Sequence, residues 1–254
     1  MNRMLALLTV LILITATVDA RALERPLINT PSRRMLPEAR PAAWSDWATC
    51  QKAAIAGTAQ AIATWQSQSI LKDVIINGTT ATGGSISGPP LQPFIQMHMF
   101  KYGIPADVVN AFATPVSNAW NTWTSSLRIP GLQWYPSFAC YPGPMAPPTP
   151  NIPMPLAVLS GNPEPLSAIS LKTSIKSALG ARASDPRALA AVDGFVESFT
   201  ARFAMYRTNT MITNVMGTGP VPAYAPPYGP KCGAVVNGRA IIKTGAFAGF
   251  WPAY

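Results

Sequence analysis

Ser69 and Lys72 stand three residues apart, a spacing that on a helix places a hydroxyl one turn before an amine. A lysine so placed can take the serine proton and turn the oxygen into a nucleophile for acyl transfer. Lys243-Thr244-Gly245 supplies a second amine and a second hydroxyl near the other end of the chain. Met97-His98-Met99 is a different cluster, two thioethers around the one imidazole of the sequence, and such donors suit Cu(I). Phe94, one helical turn earlier, cannot ligate. A full copper site would therefore draw on Met145, Met154 or a free cysteine. Other chemistries have little to work with. His98 is the only imidazole base, and no G-x-S-x-G elbow, P-loop or dinucleotide fingerprint occurs. The few acids form no obvious glycosidase pair.

Taken together, Ser69-Ile70-Leu71-Lys72 and Lys243-Thr244-Gly245 resemble the signature of the serine β-lactamases and penicillin-binding proteins. The resemblance implies a helical Ser69 activated by Lys72, with the K-T-G on a strand edging the site. A third element would come from Ser117-Asn118 or from Tyr206-Arg207-Thr208-Asn209. The match covers seven residues, and no family is recognised over the length of the chain.

The segment that precedes these groups says where they would operate. One arginine, an apolar run over residues 4–18 and the small-residue site Ala20-Arg21-Ala22 form the layout of a secretory signal peptide over residues 1–22. The run is shorter than the roughly 20 residues that span a bilayer, and no later segment is apolar enough to do so. Removing residues 1–22 takes away Arg3, Arg21 and Asp19 and lowers the net charge from +9 to +8. Export is therefore expected to the periplasm, the cell surface or the medium.

Residues 23–43 carry prolines and Arg25, Arg33, Arg34 and Arg40 without periodicity. They read as an extended basic arm, able to touch an anionic surface. Nucleic acid is a poor partner for an exported chain without interleaved aromatic and basic residues. Charged residues make up only 11% of the chain, against about 25% in ordinary domains. A surface so poor in charge is often covered by a partner or by further copies. In an oxidising compartment three cysteines give one disulfide and one thiol. Cys140 and Cys232, both in proline-rich segments, are the expected pair. Neither a C-x-x-C nor a second histidine points to zinc.

Helical phase runs from a Ser45 cap to about residue 73 through Ile55, Ile62 and Trp65. Residues 77–90 read as a Gly/Thr/Ser loop, and 91–102 as a short helix. Residues 105–127 read as a helix kinked or broken at Pro115, followed by helices over 165–179 and 185–215. Phe112, Val116, Trp120 and Trp123 share their offsets with Phe195, Phe199, Phe203 and Tyr206, and a proline loop follows each set. That pattern raises an old duplication of residues 105–155 and 185–233. Asn237-Gly238 between apolar pairs reads as a type I′ hairpin. Residues 140–155 contain seven prolines, which rules out a helix or a central strand.

The expected fold is therefore mainly α: an irregular helical bundle over residues 44–254, with long proline-rich extended loops and a short C-terminal β-hairpin. The expected role is non-enzymatic and without cofactor or metal, in an assembly with itself or another exported protein. Trp134, Tyr135, Phe138, Tyr141, Tyr224, Tyr228, Phe250 and Trp251 are the expected contacts. The acyl-transferring enzyme and the copper-binding protein are the alternatives.

Overall fold

A computed structural model describes residues 44–224 and 232–252. The expected leader (1–22), the basic arm (23–43) and Tyr228 lie outside the described residues. The mainly α expectation is overturned by a six-stranded antiparallel sheet and a second sheet of three short strands, which make this a mixed α/β fold.

The first departure comes at the end of α1 (Trp47–Gln68). Asp46, not Ser45, caps the helix by accepting from the Thr49 N–H at 3.1 Å. The helix stops at Gln68, five residues short of the expected end. From Ile70 the chain extends as β1 (Ile70–Asn77) and returns as β2 (Thr80–Ser87), the stretch expected to be a loop. Val74-Ile75-Ile76 favours the pleat, with Leu71, Val74 and Ile76 buried on the core side. Asn77 faces Thr80 across the turn, and Gly78 at φ +61° takes its first central position, as in a type II′ hairpin.

After α2 (Gln92–Phe100) and α3 (Ala106–Ser126) come β3 (Ile129–Gln133), the single turn α4 (Pro136–Ala139) and β4 (Met145–Pro150). β5 (Met154–Pro155), α5 (Ala168–Leu179), α6 (Pro186–Asn209), β6 (Met211–Ile212), β7 (Met216–Pro220), β8 (Gly238–Ala240) and β9 (Phe247–Ala248) follow. The large sheet has the order β3-β2-β1-β8-β7-β4 and the small one β5-β6-β9.

The proline-rich stretch is an edge. β4 pairs only with β7, and the register slips between Ala146 and Thr149, where Pro147 and Pro148 sit. A residue without an N–H is tolerated there because only one side of the strand is bonded. The opposite edge, β3, contains Pro130. At one end the two edges meet: Ile152 N donates to Gln133 O at 2.8 Å, and Trp134 bridges Asn151. That end of the sheet closes toward a barrel, filled by Trp134 and Ile76 packed against Gly217.

The expected C-terminal hairpin is absent. Gly238–Ala240 forms β8, an interior strand hydrogen-bonded to β1 on one side and β7 on the other. Asn237, at φ +55°, turns the chain into it and donates its N–H to Asn77 Oδ1.

The helical side has an aromatic core. α3 continues through Pro115, and α6 is capped by Asp185 with Pro186 at its first position. Phe112 meets Phe195 at 5.4 Å, and Trp123 meets Phe203 at 4.8 Å, so the two helices run in the same direction with their rings in phase. Trp65 of α1 joins this stack edge-on to Trp120, 5.2 Å away.

Candidate functional site

Ser69 and the K-T-G segment are neighbours, but through their backbones. Gly245 N donates to Ser69 O at 3.2 Å, and Ile70 bridges Thr244. The Ser69 side chain is fully buried, and its Oγ donates to Gln66 O at 3.0 Å. Lys72 is not one helical turn away: it lies on β1, three residues along extended chain, where side chains project to opposite faces. The lysine is thus not aimed at the hydroxyl. Ser117 is buried on α3, Asn118 is exposed beside it, and Tyr206 is sealed in the aromatic core.

Met97, His98 and Met99 diverge, because successive residues on α2 point about 100° apart. Met97 is half exposed and Met99 wholly buried. His98 packs over Gly57, where a Cβ would lie only 3.1 Å from the His98 Cβ, and its Nδ1 is 3.1 Å from Gln60 Oε1. Nε2, on the other side of the ring, is buried without a partner among the described residues. Burial, and then the charge of Lys101, hold the imidazole below its ordinary range. Among the described residues no group of three His, Cys, Asp or Glu side chains could hold a metal ion.

The expected contact aromatics separate by depth. Trp134 and Phe138 are buried, and Trp134 Nε1 donates to Thr149 O at 3.0 Å. Trp251 is also buried. Tyr141 and Tyr224 pack against the core with part of each ring covered. Tyr135 and Phe250 reach the surface. Cys140 and Cys232 lie at disulfide distance, with Cα atoms 4.6 Å apart, and Cys50 is the buried free thiol. Burial pushes that thiol up to about 12.

Two features were not foreseen. The first is a groove of about 690 Å³ along the first half of α1, lined by Ala48, Lys52, Ala53, Ala56 and Tyr102. The second surrounds Trp251. The C-terminal strap from Ala246 to Pro252 is held by Gln66 Nε2, which donates to Phe247 O at 3.1 Å and to Gly249 O at 2.9 Å. Arg202 Nη1 donates to Pro252 O at 2.7 Å. Phe247 stacks on Trp65, and Trp251 enters between Phe199 and Tyr206, 5.4 Å from each ring centroid. Beside it, Trp120 Nε1 is buried without a hydrogen-bond partner among the described residues, and the buried Tyr206 and Thr210 hydroxyls have only each other. The Tyr206 phenol is pushed up by burial, an effect that a hydrogen bond with the Thr210 side chain offsets in part. The aromatic ending "GFWPAY" was the available signal for this cluster.

Compared with known proteins, the chain matches no family model, no curated protein and no solved structure. What can be said of its function rests on its own geometry.

Proposed function

We propose that this chain is an exported, non-enzymatic interaction protein, a subunit of a periplasmic, cell-surface or extracellular assembly formed with copies of itself. One observation supports this reading best. The end of α2 and the turn after it leave Met97, Phe100 and Tyr102 each about half exposed, and Tyr102 lines the groove along α1. Apolar side chains gathered beside a groove mark an interaction surface, and a chain poor in charge has little else with which to keep it wet. Sheet edges are a poor route to assembly here, because both edge strands of the large sheet carry proline.

Light scattering on the purified protein tests the proposal. The expected result is a mass above that of one copy, reduced to one copy by Met97→Glu, Phe100→Glu and Tyr102→Glu together. A single-copy mass for the parent protein at every concentration overturns it.

A further inference from the structure

We propose that the Trp251 ring is a tethered plug in a binding pocket whose ligand is a flat aromatic carboxylate. The site lies away from the α2 surface and does not depend on it.

Trp251 sits between two spaces. Outside it is a cleft of about 320 Å³, walled by Ala59, Ala63 and Gln66 of α1 and by Phe247 and Phe250 of the strap. Inside it is a narrow gap lined by Ile55, Thr58, Phe195, Phe199 and Arg202. The ring is therefore one wall of each space, and moving it would join them.

The chamber it occupies has two properties. Its sides are aromatic: Phe199 and Tyr206 lie 5.4 Å from the indole, tilted to it by 40° and 47°, and Trp120 is edge-on at 6.4 Å. Aromatic rings set at these spacings favour another flat ring between them. Its polar groups can all donate. Trp120 Nε1 can only donate, and the hydroxyls of Thr58, Tyr206 and Thr210 can donate as well. All four are buried; among the described residues Thr58 Oγ1 and Trp120 Nε1 have no partner, and the Tyr206 and Thr210 hydroxyls have only each other. Native interiors leave few donors without an acceptor, and two such groups beside one aromatic chamber point to a missing acceptor. Gln66 and Arg202 at the rim also donate, at present to the strap carbonyls of Phe247, Gly249 and Pro252. No acidic side chain lines either space among the described residues.

The strap thus already behaves as an internal ligand, an aromatic ring whose neighbouring carbonyls accept from the Gln66 amide and the Arg202 guanidinium. A free molecule combining a ring with a carboxylate presents the same chemistry. Its oxygens would be better acceptors, because hydrogen bonds to an ionised group are the stronger kind. Binding requires the strap to leave, so the apparent affinity falls by the fraction of molecules in which it is open.

Indole-3-acetate is a suitable probe, measured by calorimetry against the full chain. The parent is expected to bind weakly. Trp251→Ala, its fold checked by circular dichroism, is expected to bind at least about ten-fold tighter, the gain from removing a plug seated in about nine molecules of ten. Adding Tyr206→Phe to Trp251→Ala should reverse that gain. No saturable binding to a folded Trp251→Ala protein, or equal affinity in parent and variant, overturns the proposal. Should that variant not fold, hydrogen exchange on the parent decides. The amides of residues 246–251 must exchange faster as indole-3-acetate is raised, and unchanged exchange across the titration overturns the plug.

Discussion

Gln66 holds Gly249 with a hydrogen bond of 2.9 Å from one buried amide, and the same nitrogen reaches Phe247 O. These bonds join residues more than 180 positions apart, so α1 and the C-terminal strap depend on each other. Thr210 explains why residue 249 is glycine: a Cβ there would lie 2.7 Å from Thr210 Oγ1. Gln66→Ala strands both carbonyls and is expected to cost about 2 kcal/mol. Urea unfolding measures the loss, and hydrogen exchange should place the added opening in residues 246–251. Gln66→Glu should be worse, since a carboxylate would face two carbonyl oxygens.

The glycines of the large sheet provide a second test. At Gly219 a Cβ would collide with Gly238 Cα and lie 2.6 Å from Val235 Cγ1. The obstacle is partly backbone, and two paired strands cannot move apart without losing their ladder. Gly219→Ala is expected to destabilise by about 1–3 kcal/mol, as overpacking does in other cores. Gly131 on β3 is the control. Its nearest neighbour would be Thr80 Cγ2 at 3.8 Å, so Gly131→Ala should stay within about 0.5 kcal/mol of the parent. Equal effects at the two positions would remove the close-packing argument.

That sheet was the part of the fold hardest to see in the sequence. Periodicity and caps report on local structure, and the aromatic phase of α3 and α6 and the Asp185-Pro186 start were legible for that reason. The β1–β2 hairpin was hidden twice. Ser69 continues the helical phase of α1, and "TATGGSIS" looks like a loop because two of its residues are glycine. Those glycines adopt φ values of +77° and +74° opposite the stretch around Asp73, itself at φ +59°, and pairing on both sides holds β2 in place. The sequence holds two Asn-Gly pairs, and the hairpin expected at Asn237-Gly238 is found instead beside the other, with Gly78 and Thr79 at the centre of its turn. Asn77 ends β1 and faces Thr80, whereas Gly238 belongs to a three-residue strand whose partners lie elsewhere in the chain.

The candidate sites were only partly legible, again for physical reasons. Short motifs record spacing along a helix or strand, and Ser69 and Lys72 fall on either side of the change from one to the other. Loop aromatics such as Trp134 and Phe138 look presentable in a proline-rich context, yet Trp134 finds its acceptor in Thr149 O and turns inward. The Trp251 chamber draws on α1, α3, α6 and the C-terminal strap, so each residue by itself reads as ordinary core.

His98 should give the protein a pH-dependent stability. Its folded-state pKa is held below the unfolded value of about 6.5, so between those two values the unfolded chain binds more protons. The stabilisation is complete above about pH 6.5 and is lost as pH falls through the lower, folded pKa. Lys101 adds to the effect, and the Gln60 and Tyr102 contacts hold the ring in place. The urea midpoint is expected to fall between about pH 7.5 and about pH 5. His98→Gln should flatten that range. It should leave the steeper loss below about pH 4, where Asp46 and Asp185, held low first by hydrogen bonds from Thr49 and Arg187, take up protons. A slope unchanged in His98→Gln would show that the proton goes elsewhere.

The three cysteines make a final, inexpensive test of how the chain is closed. Cys50 has no exposed surface, and burial, reinforced by the charge of Asp46, pushes its thiol up to about 12. At neutral pH it is protonated and out of reach, and the thiolate is the reactive form. Cys140 and Cys232 are both at the surface yet paired with each other. Ellman's reagent added to the oxidised native protein should therefore find no thiol. Unfolding in urea should reveal one, and unfolding with prior reduction should reveal all three. The native Cys50 reaction should follow the unfolding rate as urea is raised, because access requires α1 to leave the core. A fast-reacting thiol in the native protein would mean that Cys50 is open or that the pair is reduced. Mass mapping of the labelled cysteine then tells the two apart, since label on Cys140 or Cys232 assigns the fault to the pair.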